Sequence, residues 1–175
     1  MPFDYLAGVK KLFAQYKSLG DKTIEQLHEE KLLFWQYNDH SNSIAIIIQH
    51  LWGNMLSRWT NFLTDDGEKK WRERDAEFEK KIITKEELII KWDAGWDCLF
   101  AALNSLTDED LDKTVYLRQE PLNVVDAINR QLAHYSYHVG QIVYLGKMQL
   151  NDDWMSLSIP KKESKDLNED DDREL

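Results

Sequence analysis

Apolar residues recur every three or four positions over four long stretches of this chain, the spacing that places them on one face of an α-helix. The first stretch keeps this spacing without a break, which predicts one long helix carrying Phe3, Leu6, Val9, Phe13, Tyr16, Gly20, Ile24 and Leu27 on its apolar face. The second stretch opens with the β-branched run IAIIIQH, yet its apolar pattern continues to Phe62. That length favours a helix over a strand. We therefore predict a second helix from near Ser41–Ser43 to about Phe62.

The third and fourth helices are predicted to begin at residues that can cap a helix N-terminus. Thr84 and Glu87 can form a capping box ahead of the third helix. Its buried stripe is predicted to be Leu88, Trp92, Trp96, Leu99 and Leu103. Asn123 with Asp126 can start the fourth helix, which is predicted to run to about Leu150.

The segments between and after these helices are polar. Residues 28–43 are expected to contain a short helical turn. The connection over 63–83 is expected to turn at Asp66-Gly67 and to be pinned to the body of the protein by Trp71 and Phe78. A second connection covers 106–121. Four helices with two long crossing connections indicate an all-α fold, a four-helix bundle.

The last part of the chain has no helical pattern. It is predicted to form an extended arm anchored through Trp154, Leu157 and Ile159. We expect one bundle domain over residues 1–160 and an acidic C-terminal tail over 161–175. Beyond about residue 168 this tail is expected to be solvated and mobile.

Length, charge and cysteine content narrow the class of protein. At 175 residues the chain fits one domain with a real core. A formal net charge of −10 argues against nucleic acids and acidic membrane surfaces as partners. The single cysteine, Cys98, permits no intramolecular disulfide. Because the sequence shows neither a signal-peptide pattern nor an apolar run long enough to span a membrane, we expect a cytoplasmic protein.

Two histidines of the predicted fourth helix carry the strongest chemical signal. His134 and His138 stand four residues apart. Both imidazoles therefore leave the helix on the same side, with Cβ atoms about 5–6 Å apart, so that one helix can give two nitrogens to one metal ion. His50 lies in the second predicted helix. If the two helices face each other, three neutral imidazoles converge and leave a coordination position open to water or substrate.

Other chemistry-bearing residues indicate simpler roles. The order HYSYH lacks the Glu of the HExxH zinc-protease motif, which argues against peptide hydrolysis as the function. Cys98 lies among apolar residues and is expected to be a buried, inert thiol. His28 and His40 stand in polar stretches and are expected to lie on the surface.

Several polar residues share the histidine-bearing faces and could orient an imidazole through its second nitrogen, although an ordinary polar helix face is an equally good interpretation of each. These residues are Asn42, Gln49, Gly53, Asn54 and Ser57 on the second helix, and Arg130, Gln131 and Gln141 on the fourth. Arg130 or Gln141 could also orient a substrate.

Three segments together resemble the DinB/YfiT-like superfamily of metal-binding four-helix bundles. They are IAIIIQHLWGNMLSRWTNFLTDDGEKKWRERDAEF, AINRQLAHYSYHVGQIVYLGK and WMSLSIPKKES, with the HxxxHxGQI element as the most specific part. The similarity extends to about residue 168, and the segments resemble in particular a bacterial DinB-like branch of unknown function found in Firmicutes and relatives. It implies that His50, His134 and His138 bind one divalent metal ion, commonly zinc or nickel.

The resemblance also implies a class of reaction. Better-known relatives are thiol S-transferases that use bacillithiol or glutathione, and mycothiol-dependent maleylpyruvate isomerase. The leading expectation is thus a metal-dependent transferase that activates a low-molecular-weight thiol against a small electrophile. Metal-dependent hydrolysis is an alternative, and it would need a carboxylate base such as Asp93, Asp97 or Asp126. A non-enzymatic stress-response or binding protein with a structural metal is the third reading. A homodimer is also expected from the resemblance.

Overall fold

The computed structural model of the protein describes residues 4–79, 81–82 and 84–158. Five helices make up most of this part of the chain: α1 (Tyr5–Gln26), α2 (Glu30–Phe34), α3 (Ile44–Trp59), α4 (Lys85–Ser105) and α5 (Val124–Leu150). The four long helices pack as an all-α bundle, which confirms the predicted fold class. The short α2 is the helical turn expected between residues 28 and 43. Among the described residues, no helix is both long and apolar enough to cross a membrane.

The predicted capping residues begin three of the long helices. The side chains of Ser43, Thr84 and Asn123 accept hydrogen bonds from the backbone N–H three residues further on, at donor–acceptor distances of 3.2, 3.1 and 2.7 Å. These bonds satisfy N–H groups that have no partner inside a helix. The predicted end of the second helix at Phe62 is wrong, because α3 ends at Trp59. Thr60, the next residue, adopts an extended conformation with φ of −64° and ψ of 122°, which ends the helix.

An antiparallel hairpin, which the sequence did not predict, lies in the second connection. Its strands are β1 (Thr114–Leu117) and β2 (Glu120–Asn123). The two turn residues, Arg118 and Gln119, both have positive φ, which normally requires Asn or Gly. Here the carboxylate of Asp66 accepts hydrogen bonds from both turn N–H groups, at 2.8 and 2.7 Å. A contact from a distant segment therefore stabilises a turn that its own residues do not favour.

The core next to the histidines is aromatic. Four side chains, one from each long helix, meet there: Phe13, Trp59, Trp96 and Tyr135. The Tyr135 hydroxyl accepts a hydrogen bond from Trp59 Nε1 and donates one to Asn54 Oδ1, both at 3.0 Å. Since a buried polar group without a partner is costly, these bonds fix α3 and α5 relative to each other. That alignment positions the histidines of the two helices.

The expected anchors of the chain ends are observed only in part. Trp154 and Leu157 are half-buried, and the Gln26 side chain holds the backbone of Met155 through two hydrogen bonds. Ile159, the boundary at residue 160 and the acidic tail lie outside the described residues.

In the first connection, Trp71 is 57% exposed, so the expectation that it pins this connection is wrong. Phe78 does contact the body, through His50.

Two glycines of α1 provide a matched pair of stability tests. A Cβ at Gly20 would overlap the buried ring of Trp92, whereas a Cβ at Gly8 would meet nothing within 4 Å. Gly8→Ala should raise the free energy of unfolding by about 0.5–1 kcal/mol through its lower backbone entropy. Gly20→Ala should lower it by about 1–3 kcal/mol, because the ring must move. Urea denaturation of both variants checks this, and equal effects at the two positions would contradict the close packing of α1 on Trp92.

Candidate metal centre

Three histidines from two helices converge at one end of the described bundle. His50 of α3 and His134 of α5 bring their Nε2 atoms to 3.3 Å. With His138, also on α5, each residue offers a ring nitrogen, and these atoms all lie within 4.8 Å of one another. His50 and His138 are buried, and His134 is half-buried. The structure therefore brings together the three residues that the sequence predicted as ligands.

A buried carboxylate orients His50. Glu77 Oε2 lies 2.9 Å from His50 Nδ1, and Arg72 donates two hydrogen bonds to the same carboxylate, at 2.6 and 2.9 Å. Burial opposes ionisation of Glu77, but the hydrogen bonds from Arg72 and His50 outweigh it and lower its pKa below the usual value. An ionised carboxylate can only accept, so Nδ1 of His50 carries the proton. The lone pair of Nε2 then faces the other two histidines.

Glu77 and Arg72 were not identified from the sequence. Both lie in the polar connection, 27 and 22 residues after His50, with no periodic pattern to relate them to it. The sequence contains one related feature, a glycine three positions after His50 on the same helix face, but only the structure shows why it is there. A Cβ at Gly53 would overlap the Glu77 carboxylate. Glycine at this position thus makes room for the carboxylate beside the histidine.

Gln49 holds the segment that carries Glu77 against α3. This segment is a short 3-10 turn, Asp75–Phe78. The buried Gln49 amide donates to the carbonyl oxygens of Ala76, Glu77 and Glu79, at 3.1, 2.8 and 2.9 Å. The ring of Phe78 stacks on His50 with 4.9 Å between ring centroids. The first crossing connection is therefore fixed over the histidine site.

His138 is oriented by its own helix. Its Nδ1 lies 2.9 Å from Gln141 Oε1, an amide oxygen that accepts, so Nδ1 carries the proton. The other ring nitrogen, Nε2, is buried and has no hydrogen-bond partner among the described residues. A buried acceptor left unpaired is uncommon and costs stability. In His138 that atom belongs to the three-histidine cluster, where a metal ion would satisfy it.

Two of the three imidazoles are held neutral. Burial, reinforced by electrostatic interactions with His138 and His50, lowers the pKa of His134 to about 3. Burial also lowers the pKa of His138 to about 4, although its hydrogen bond to Gln141 acts in the opposite direction. A histidine must be neutral to bind a metal. At neutral pH, both ligand candidates of α5 are in the required form.

These pKa values predict how the stability of the metal-free protein depends on pH. The unfolded histidine pKa of 6.5 lies above both folded values. The unfolded state therefore binds more protons between these values, and stability is lost as the pH falls below about 6.5. Urea denaturation from pH 7.5 to about 5 should show this loss, and a His134→Gln/His138→Gln variant should show a smaller one. Equal losses in the two proteins would contradict the burial of neutral imidazoles.

The histidines open onto a cavity of about 320 Å³. Five arginines lie in its wall: Arg58, Arg72, Arg74, Arg118 and Arg130. The other lining residues are His50, Asn54, Phe78, Gln131, His134, Tyr137 and His138. Arg130 was predicted to be near the site and does line this cavity, whereas Gln141 orients His138.

None of the described residues that line this cavity is acidic. The three predicted candidates for a carboxylate base therefore lie elsewhere. Asp93 pairs with Lys17 at 3.0 Å, and Asp126 bonds to Asn123 at the start of α5. Asp97 is likewise absent from the lining. Glu77 is the nearest carboxylate described, but both its oxygens are engaged by Arg72 and His50.

The remaining two histidines lie where they were expected, whereas Cys98 is less buried than expected. His28 and His40 are exposed and lie outside the histidine cluster. Cys98 is half-buried, and burial raises the pKa of its thiol above the ordinary value, so that the inert thiol form is favoured.

Fold and site together define an all-α bundle protein with a candidate three-histidine metal centre beside an arginine-lined cavity. The chain belongs to the family described as proteins of unknown function, DUF1572, whose sequence profile matches residues 1–163. No curated protein shows significant similarity to the sequence.

Proposed function

We propose that this protein is a metal-dependent enzyme in which His50, His134 and His138 bind one divalent metal ion, with zinc or nickel as the best candidates. The observation that carries this proposal is the convergence of three imidazoles, two of them oriented by hydrogen bonds, at the wall of a cavity large enough for a small substrate. Three protein ligands leave a coordination position for water or substrate, which is the arrangement of catalytic sites.

One pair of donor nitrogens, from His50 and His134, already has the spacing of metal ligands. Two nitrogens bound to zinc at about 2.0–2.1 Å with a tetrahedral angle are about 3.3–3.4 Å apart. The distance between Nε2 of His50 and Nε2 of His134 is 3.3 Å. Glu77 and Gln141 hold the protons of His50 and His138 on Nδ1, away from the cluster. Such outer carboxylate and amide partners are typical of metal-binding histidines.

The reaction proposed for this site is transfer of a low-molecular-weight thiol, such as bacillithiol, to a small electrophile. It rests on the resemblance to the DinB/YfiT-like superfamily, whose thiol S-transferases use a histidine-bound metal. A bound divalent metal lowers the pKa of a thiol and so favours the reactive thiolate. No described lining residue is acidic, so no carboxylate in the lining would compete as a base with the thiolate. The lining arginines would favour an anionic ligand.

The lack of an acidic lining residue also argues against hydrolysis. In metal-dependent hydrolases a carboxylate in hydrogen-bond reach commonly takes the proton of the attacking water, and no described lining residue supplies one here. Both oxygens of Glu77 are bonded to Arg72 or His50 and are therefore committed to positioning. Thiol transfer does not require such a base when the thiol is already ionised.

The experiment that tests this proposal compares zinc-loaded, nickel-loaded and metal-free protein. Each is incubated with bacillithiol or glutathione and the electrophile 1-chloro-2,4-dinitrobenzene, and the conjugate is followed by its absorbance. We expect conjugation only with metal-loaded protein, and background rates with His134→Ala. Equal rates with and without metal, for both thiols, would contradict the transferase proposal.

A further inference from the structure

The arginines of this chain are concentrated in one place. The sequence contains six arginines, and five of them line the cavity beside the three histidines. No lysine lies in that lining, although lysines outnumber arginines in the chain. The protein as a whole carries a net charge of −10, so this basic cavity stands out against an acidic surface. A planar guanidinium can bind a carboxylate or phosphate through two parallel hydrogen bonds, which a lysine cannot.

Three of these arginines are already engaged by the protein. Arg72 is bonded to Glu77, while Arg58 and Arg118 both bond to Glu68. Even so, Arg58 Nε is buried and has no hydrogen-bond partner among the described residues. A buried donor without a partner is costly, so the protein alone does not satisfy this guanidinium group fully.

The other two arginines have no such commitment. Arg74 and Arg130 are exposed at the cavity, and within residues 4–79, 81–82 and 84–158 neither side chain forms an ion pair or a hydrogen bond. The two carboxylates that pair with cavity arginines are Glu68 and Glu77. Among the described residues, the five guanidinium groups thus outnumber the carboxylates that form ion pairs with them.

We propose that this cavity binds a small molecule through an oxyanion, a carboxylate or phosphate group, with Arg74 and Arg130 as the residues that contact it. The volume of about 320 Å³ suits a small ligand. The acidic remainder of the surface disfavours a nucleic acid as the source of the phosphate. Phe78 and Tyr137, which also line the cavity, provide apolar surface for the rest of the ligand. The inference deepens the proposed function by naming its substrate class, but the anion contact itself does not require the metal.

The test measures anion binding to metal-free protein by isothermal titration calorimetry, with succinate and inorganic phosphate as probes. Metal is removed with a chelating resin, since a soluble carboxylate chelator would itself compete. We expect the wild type to bind at least one probe, and its affinity to fall with added salt because the contact is ionic. Preference for succinate identifies a carboxylate ligand, and preference for phosphate a phosphate ligand. If the wild type binds neither succinate nor phosphate, the proposal is overturned.

The decisive variant is Arg74→Gln/Arg130→Gln. Its affinity for the probe should fall by about tenfold for each arginine removed. The matched control is Lys22→Gln/Lys147→Gln, which removes the same charge from exposed positions outside the cavity and should retain most of the affinity. Circular dichroism verifies that both variants are folded. Equal affinities in the two double variants would overturn the proposal.

Metal content separates this inference from the proposed function. The Arg74→Gln/Arg130→Gln protein should take up metal as the wild type does, because neither arginine contacts the proposed ligands through any described bond. If the wild type binds anions through these arginines but takes up no metal, the metalloenzyme proposal fails and the anion site stands. If metal binds and the arginine variant still binds anions fully, the anion site fails and the metal centre stands.

Discussion

His134→Ala protein should fold and purify without metal. The substitution leaves two imidazoles at the site, and we expect metal affinity to fall by at least about 100-fold, since even outer partners of a ligand contribute 10–100-fold. His134 is half-buried at a cavity wall, so its removal leaves little new void. The free energy of unfolding of the metal-free variant should stay within about 1 kcal/mol of the wild type. Elemental analysis and urea denaturation measure the two quantities.

His40→Ala is the control for that experiment. His40 is exposed, lies outside the cluster and should retain full metal binding when replaced. If His134→Ala retains as much metal as His40→Ala, the three-histidine assignment is wrong. If it instead fails to fold, the metal or the histidine has a structural role.

Glu77→Ala should be the most destabilising single change at the site. The side chain of Arg72 is only 2% exposed, and Glu77 is its closest ion-pair partner. Removing Glu77 leaves Arg72 with only its longer ion pair to Glu68, at 3.6 Å. Breaking a buried pair in this way costs about 3–5 kcal/mol. The variant also loses the group that orients His50. Its metal affinity should therefore fall by about 10–100-fold, the usual effect of removing a carboxylate that bonds to a metal-binding histidine. Urea denaturation of metal-free protein isolates the first effect, and metal titration measures the second.

Glu79→Ala is the matched control, two residues away in the same connection. The Glu79 side chain is 68% exposed and pairs only loosely with Lys81, at 3.7 Å. Its removal should change the free energy of unfolding by less than about 0.5 kcal/mol. A Glu77→Ala protein as stable as Glu79→Ala would show that the Arg72–Glu77–His50 chain of bonds does not hold the connection in place.

The bundle was predictable because its information is local. Each long helix carries its apolar stripe in consecutive turns, and Ser43, Thr84 and Asn123 mark three helix starts in the sequence itself. The predictions fail where a contact between residues far apart in the chain determines the local structure. The hairpin turn at Arg118-Gln119 depends on the Asp66 carboxylate, which lies about 50 residues earlier in the chain. Local turn preferences could not reveal it.

The candidate site likewise has a part that the sequence could predict and a part that it could not. The spacing of His134 and His138 is a property of one helix, so the sequence showed it directly. Glu77 reaches the site from an irregular connection, and the five arginines come from α3, the first connection, the hairpin and α5. Such a cluster has no signature along the chain, because it exists only after the elements have packed. The arginine-lined cavity therefore required the structure.

The central claim is that His50, His134 and His138 bind a metal ion, and the metal content of protein purified without a histidine tag tests it most directly. After reconstitution with zinc or nickel and removal of excess metal, we predict about one equivalent of metal per chain. The His134→Ala protein treated in the same way should hold almost none. Less than about a tenth of an equivalent in the wild type, for either metal, would contradict the claim.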